Sequence, residues 1–347
     1  MSEMQAAVLV DFNQVELQEI PIPRAENFNE VVIQIKSCGF CASDYKAIKG
    51  IRKNVTFPII VGHEPSGIVH ETGPGVEHFK VGDEVIVQPL GHCGLCKNCR
   101  TGNTHYCENA FVTGGDGPED VWNGAFAQYM KTKQGSLFRK PYEISFDAAA
   151  ITEPLAGAWK GVINYSQMQL GDDVVVIGVG GIGLLCMMVA KAAGAARLIA
   201  IDVSDYALEN ARKLGATHTI NPNKQDAKKK VYEIIPDGPD VIIEAAGPIE
   251  AVKLMNSLRR RGTRWNVFGI TTHEKFELDG GLTHFLEGRM DASFGTTTLS
   301  MTKAIQLMET GLVNPEKIIS HRFSLSQIHD AIEVMGTSEH NKVVINP

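Results

Sequence analysis

The chain has 347 residues, more than the roughly 250–300 at which one hydrophobic core usually stops growing, so two domains are the starting expectation. With 44% hydrophobic and 21% charged residues it has the composition of an ordinary globular protein, which excludes the disordered and fibrous classes. A formal charge of −7, with acidic and basic residues mixed along the chain, gives no footprint for a polyanion, so no nucleic-acid partner is expected.

Residues Met1–Gln5 carry no basic run, and Val8–Val10 is too short for the apolar centre of a signal peptide. The first half holds short β-branched runs, Val31–Ile35 and Asp83–Val87, between turns rich in Gly and Pro, and reads as mostly β. From about Gly171 the rhythm changes. The pattern predicts strands at Val174–Ile177, Leu198–Asp202, Asp240–Glu244 and Arg264–Phe268. Between them it predicts helices at Ile182–Ala193, Tyr206–Leu214 and Ile249–Leu258. Strands alternating with helices imply an α/β unit with a doubly wound parallel sheet. After about Phe294 come a helix at Thr302–Thr310 and a last strand at Lys342–Ile345, which periodicity assigns to neither half. The longest apolar stretch, 174–190, contains four glycines and falls short of the roughly 20 residues of a membrane span, so no membrane partner is expected.

Gly178-Val179-Gly180-Gly181-Ile182-Gly183 satisfies G-x-G-x-x-G directly after one predicted strand and at the opening of a helix. There the first glycine permits a tight turn, the second admits a pyrophosphate and the third lets helix and strand pack closely. The helix N-terminus offers free N–H groups to the phosphates. Asp202 ends the next strand, where a carboxylate accepts bonds from the ribose hydroxyls and repels a 2′-phosphate, so NAD is expected over NADP. The alternative is a glycine-rich turn with a packing role only.

Seven cysteines, four of them within fifteen positions, form a local cluster and not a spread disulfide framework, which fits a reducing, cytoplasmic setting. Cys93, Cys96, Cys99 and Cys107 read C-x2-C-x2-C-x7-C in a loop with Gly91, Gly94 and Gly102, a pattern suited to a closed tetrahedral zinc site. An iron–sulfur cluster is the alternative, since thiolates alone do not select the metal. A second group is Cys41 with His63 and Glu64. Taken singly, Cys41 is equally a core cysteine, or the partner of Cys38 in a redox C-x-x-C. His70, His78, His218 and His340 lack comparable company.

Cys38-Gly39-Phe40-Cys41-Ala42-Ser43-Asp44, Gly62-His63-Glu64, the four-cysteine lobe, Glu153-Pro154-Leu155 and the glycine fingerprint follow one another in this order. In this the chain resembles the zinc-containing medium-chain alcohol dehydrogenases over nearly its full length. The resemblance implies a GroES-like, mostly-β catalytic domain at 1–154 and 294–347, with the structural zinc lobe at about 91–108, and a Rossmann NAD-binding domain at 155–293. The active site would lie in the cleft between them. It further implies one catalytic and one structural zinc per subunit, NAD as cofactor, and a homodimer or homotetramer.

By position in the family, Cys41 and His63 would be catalytic zinc ligands. Glu64 would be a direct or exchanging ligand, and Glu153 a ligand or a hydrogen-bond partner of the zinc-bound water. Asp44 would support the ligand histidine, and Ser43 would pass the substrate proton toward solvent. The cofactor would rest on Gly178, Gly180, Gly181, Ile182, Gly183 and Asp202, with Phe268, Gly269, Ile270 and Phe294 lining the nicotinamide. Plain alternatives stand beside two of these: Glu153 as a helix-capping residue before Pro154, and Ser43 as an ordinary loop hydroxyl.

Glu-Pro-Leu at 153–155 looks like the sorbitol, threonine and polyol dehydrogenase branches, so the expected substrate is a polyol or other small secondary alcohol. Sorbitol dehydrogenases carry arginine after the phenylalanine that matches Phe294, whereas this chain has Gly295-Thr296-Thr297-Thr298. Ala207 likewise stands where a basic residue often follows the ribose-binding acid. Alternatives are an L-threonine 3-dehydrogenase-like enzyme and, given Lys46, Lys49, Arg52 and Lys53, a dehydrogenase of a phosphorylated or sulfonated diol. That cluster also reads as a solvated loop, and Arg259-Arg260-Arg261 as a helix C-terminus complementing its dipole. From another class, a nucleotide-binding scaffold with structural zinc only would have no use for Cys41, His63, Glu64 and Glu153 together.

Overall fold

Glu30–Phe40 is the strand around which the first half is built. In this computed structural model, which describes residues 2–114, 122–269 and 275–347, the strand pairs antiparallel with Glu64–Thr72, Tyr129–Lys133 and Lys342–Asn346. Val31, Val32, Ile33 and Ile35 are all buried, so both faces are covered and the run reads as continuous apolar sequence rather than alternation. The strand continues five residues beyond the predicted Ile35 because Cys38 and Gly39 still pair with Pro65 and Glu64.

The chain divides into two compact units, Met1–Ala156 with Gly295–Pro347, and Gly157–Phe294. In the first, the main sheet runs Leu137–Arg139, Glu84–Val87, Glu64–Thr72, Glu30–Phe40, Lys342–Asn346, Ile319–Ser324, with Tyr129–Lys133 also on the central strand. The tail that periodicity left unassigned therefore closes the sheet of the first half. A second sheet joins Gln14–Pro21, Glu3–Asp11 and Ile59–Ile60. Leu9, Ile33, Phe40, Phe126, Met130 and Ile345 meet in one core, the rings of Phe40 and Phe126 lying edge to face at 4.9 Å. Each such side chain contributes about 1.5–3 kcal/mol when fully buried.

The second unit is a six-stranded, wholly parallel sheet in the order His218–Ile220, Arg197–Ile201, Asp173–Ile177, Val241–Glu244, Arg264–Val267, Arg289–Ala292. Val174, Val175, Val176, Ile199, Ile242 and Ile243 are fully buried, as a sheet covered by helices on both faces requires. The helix after the first strand runs Gly181–Ala192. The helix Asp205–Leu214 is capped by Ser204 at its start and ends on left-handed Gly215. The edge strand Arg289–Ala292 was not legible: its four residues are mostly exposed and two of them are charged, so it carries no apolar run. No helix among the described residues is long and apolar enough to cross a membrane.

Candidate metal and dinucleotide sites

Strand register assembles the first site. Gly39 pairs with Glu64 and Phe40 with Val343, so Cys41, which follows Phe40, lands beside His63, Glu64 and the start of the last strand. Sulfur of Cys41, a ring nitrogen of His63 and a carboxylate oxygen of Glu64 lie within 4.8 Å of one another. Gly39 is required at this crossing, because an added Cβ would run into the Glu64 carboxylate.

Asp44, in the first turn of the helix Ala42–Ile48, is the organiser of this group. Its Oδ1 sits 3.0 Å from His63 Nδ1 and accepts from Gly62 N at 3.2 Å, while Oδ2 accepts from Cys41 N at 3.1 Å. Nδ1 is thereby engaged, which leaves Nε2 as the free ligand atom. Burial alone would push Asp44 up, but His63 and these N–H groups outweigh it and hold the carboxyl below its ordinary range. For His63, burial works downward and the Asp44 charge upward, and the charge wins. Asp44→Asn is expected to weaken zinc binding at Cys41 by about 10–100-fold and to cost about 1–3 kcal/mol of stability, because the amide nitrogen cannot accept from a buried N–H that the second carboxylate oxygen serves. Competition against a chromogenic chelator measures this, and an unchanged affinity would deny Asp44 the role.

Lys342, 278 residues from Glu64 in sequence, has no motif to announce it. Its Nζ lies 2.6 Å from the Glu64 carboxylate, and both side chains are buried, 7% and 1% exposed. Glu153 stands half-buried in the first turn of Thr152–Trp159, outside the 4.8 Å set, with its charge acting on Lys342. Ser43 is half-buried in the first turn of Ala42–Ile48.

The four-cysteine lobe is pinned at its base by the paired strands Leu90–Gly91 and Phe111–Val112. All four sulfurs lie within 4.8 Å of one another. Leu95 N and Cys96 N each donate to Cys93 Sγ at 3.4 Å, and these bonds bring that thiol down to about 6. Cys93 N and Asn109 N donate to Cys107 Sγ at 3.3 Å. Cys99, in contrast, is pushed up to about 12 by burial and by neighbouring Cys96 and Cys107. Four thiolates are tolerable together only around a cation, so the donor set fits a closed zinc site.

In the second unit the glycine fingerprint has the geometry a dinucleotide needs. Gly178 adopts φ +83 in the turn after Ile177, and a Cβ on Gly183 would strike the Gly178 carbonyl. A Cβ on Gly180, at the N-cap of Gly181–Ala192, would meet open space, a cradle that suits a pyrophosphate. Gly181 and Ile182 form the first turn, half-buried. Asp202 Oδ2 accepts from Val179 N at 2.8 Å and Oδ1 from Ser204 N at 2.8 Å, so the acid is bound to the fingerprint itself.

Phe268 turns its ring onto Gly157 and Gly161, leaving Gly269 beyond the end of Arg264–Val267; Ile270 lies outside the described residues. Phe294 is 73% exposed, and its carbonyl accepts from Lys160 Nζ at 2.5 Å. Lys160 is fully buried in a π-helical turn, Lys160–Tyr165, a feature its charge conceals from sequence reading.

Thr296 and Thr297 are buried and serve the fold: Gln88 Nε2 donates to Thr296 O at 3.1 Å, and Thr297 caps the helix Thr298–Glu309. This cap starts the helix four residues before the predicted Thr302. Lys49 and Lys53 are exposed, with their amines over the rings of Tyr45 and Phe12.

Residues 27–142 match the family described as Alcohol dehydrogenase GroES-like domain, and residues 181–310 the family described as Zinc-binding dehydrogenase. The chain is 32% identical to the sorbitol dehydrogenase of Bacillus subtilis, over 99% of this chain and 97% of that one. It is 31% identical to the L-threonine 3-dehydrogenase of the same organism, over 95% and 94%. Among solved structures, a zinc-binding dehydrogenase of Sinorhizobium meliloti bound to NADP superposes with a TM-score of 0.92 at 29% identity, covering all of both chains.

Proposed function

The chain belongs to the zinc-containing medium-chain alcohol dehydrogenases, and on that premise we propose that it moves a hydride between NAD and a polyol or other small secondary alcohol, with the catalytic zinc held at Cys41, His63 and Glu64. The observation that carries the reading is the convergence of a thiol, an imidazole and a carboxylate within 4.8 Å, the imidazole fixed by Asp44. Three or so protein ligands of mixed type, unlike the closed four-cysteine lobe, match a site that keeps a position for substrate.

Zinc would supply a Lewis acid that makes a substrate hydroxyl acidic near neutral pH, and NAD would supply the hydride acceptor. The chain does the rest. Asp44 fixes the tautomer and orientation of His63. Ser43 offers a half-buried hydroxyl to carry the proton outward. Lys342 offsets the charge of Glu64, and Glu153 adds a second carboxylate nearby, as ligand or hydrogen-bond acceptor. Gly178, Gly180, Gly181, Ile182, Gly183 and Asp202 would hold the dinucleotide, with Phe268, Gly269, Ile270 and Phe294 toward its nicotinamide. Asp202 supports NAD over NADP by repelling a 2′-phosphate; the NADP in the Sinorhizobium structure makes this a direct contest. A homodimer or homotetramer in a reducing, cytoplasmic compartment completes the reading, with light scattering as the check on subunit number.

The deciding experiment is NADH and NADPH formation by the zinc-loaded protein against neutral polyols, simple secondary alcohols, L-threonine and phosphorylated or sulfonated diols. Turnover of a neutral polyol or secondary alcohol with NAD is the expected result. Turnover of L-threonine alone, or of an anionic diol alone, would replace the substrate class, the latter bringing Lys46–Lys53 into consideration. Absence of all turnover, with no zinc at Cys41, would remove the enzymatic reading.

A further inference from the structure

In the six-stranded sheet the chain builds outward in one direction from Asp173–Ile177 and then returns to start on its other side with Val241–Glu244. The crevice at the carboxyl ends of those two strands is the switch point where open α/β sheets bind ligands. Glu244 is the last residue of the second of them, and it is fully buried.

Two loops meet at this residue, the turn after its own strand and the end of the neighbouring one. Its Oε1 accepts from Ala246 N at 2.8 Å and Gly247 N at 2.7 Å, which shapes the turn after its own strand. The main-chain carbonyl of Glu244, as distinct from its side chain, accepts from Phe268 N at 2.7 Å and Gly269 N at 3.0 Å, at the end of the neighbouring strand. Oε2 is buried with no hydrogen bond of normal geometry and faces Gly269, where a Cβ would come to 2.6 Å from it. Ala246 in turn abuts the fingerprint, since a Cβ on Gly178 would lie 2.5 Å from Ala246 N.

A carboxyl is a costly way to fill this space. Burial pushes Glu244 above its ordinary range, and the N–H groups of Gly247, Ala246 and Gly269 offset only part of that. Among the described residues no cation pairs with it. Leucine would pack without the penalty, but it could not accept two backbone N–H bonds and fix the turn.

We propose that Glu244 is a positioning residue for the dinucleotide: its carboxylate fixes the turn 245–247, holds Ala246 against Gly178, and so sets the backbone on which the nicotinamide half of NAD rests. This inference rests on the dinucleotide reading above. Glu244 acts through backbone and touches neither substrate nor cofactor.

The test is titration of the zinc-loaded protein with NADH, followed by fluorescence, alongside steady-state kinetics. Glu244→Ala removes both Oε1 bonds and is expected to weaken NADH binding and raise KM for NAD by about tenfold or more. Its kcat at saturating NAD is expected to stay within about threefold, and Glu244→Gln, which keeps Oε1 as acceptor, to restore NADH binding to within about threefold of the parent. Should Glu244→Ala fail to fold, Glu244→Asp takes its place, because a side chain one methylene shorter cannot serve both N–H groups. NADH binding unchanged in these variants, or Gln as damaging as Ala, would overturn the proposal. Failure of the parent protein itself to bind NADH would instead remove the dinucleotide reading beneath it.

Discussion

Cys41→Ala is expected to lower turnover by a factor on the order of a thousand or more while NADH binding stays within about twofold, since a Lewis acid takes several kcal/mol off the barrier and each 1.36 kcal/mol is tenfold. The separation is possible because of where the residue lies. Cys41 belongs to the first unit and the fingerprint Gly178–Gly183 to the second, so removing the sulfur leaves the dinucleotide cradle intact. It also leaves the backbone of its own turn intact: Cys41 N still donates to Asp44 Oδ2, and Gly62 N to Asp44 Oδ1. The zinc content should fall by about one ion per chain, because the four-cysteine lobe is a separate donor set. Elemental analysis with NADH titration and steady-state rates decides the matter. Full turnover in the variant would mean that catalysis does not use this group.

The fold class was legible because its signals are local. A strand, a glycine turn and a helix occupy consecutive residues at 173–192, and the four lobe cysteines span fifteen positions. Glu30–Phe40 was half legible. Its apolar run Val31–Ile35 was evident but its extension to Phe40 was not, and only the approach of the Glu64 carboxylate explains why Gly39 stands inside a strand. The Lys342–Glu64 pair was not legible at all. A lysine opening the last strand looks like a side chain that points to water, and its burial follows from a pairing between strands hundreds of residues apart, which no window on the sequence contains. Lys160 was hidden in the same way, as a charged residue whose partner, the Phe294 carbonyl, lies 134 residues on; Glu244 was hidden because a carboxyl at a strand end looks exposed, although its bonds to Ala246 and Gly247 are local. Residues identified by resemblance, such as Asp44, carried a role in advance; the hydrogen bonds to His63, Cys41 and Gly62 give that role its physical content.

Lys342→Met is expected to destabilise the first unit by about 3–5 kcal/mol, the usual consequence of leaving one member of a buried ion pair alone. Burial would lower the lysine, but the charges of Glu64 and Cys41 outweigh it and hold its pKa above the ordinary value. A base whose folded value is raised contributes its full share below the unfolded value of about 10.4 and loses it only as pH climbs through the folded one. At pH 7 to 8 the pair is therefore intact in the parent, and the variant strands the Glu64 carboxylate, 1% exposed, beside the thiol of Cys41. Adding Glu64→Gln to Lys342→Met should recover much of the loss, because a neutral pair carries no buried charge. Urea unfolding of the parent, both single variants and the double, at matched zinc content, gives the coupling directly. A coupling below about 1 kcal/mol would mean that Glu64 does not depend on Lys342 for its charge. The metal would then be left as its main counter-ion, and the Lys342→Met variant should in that case lose stability steeply on chelation.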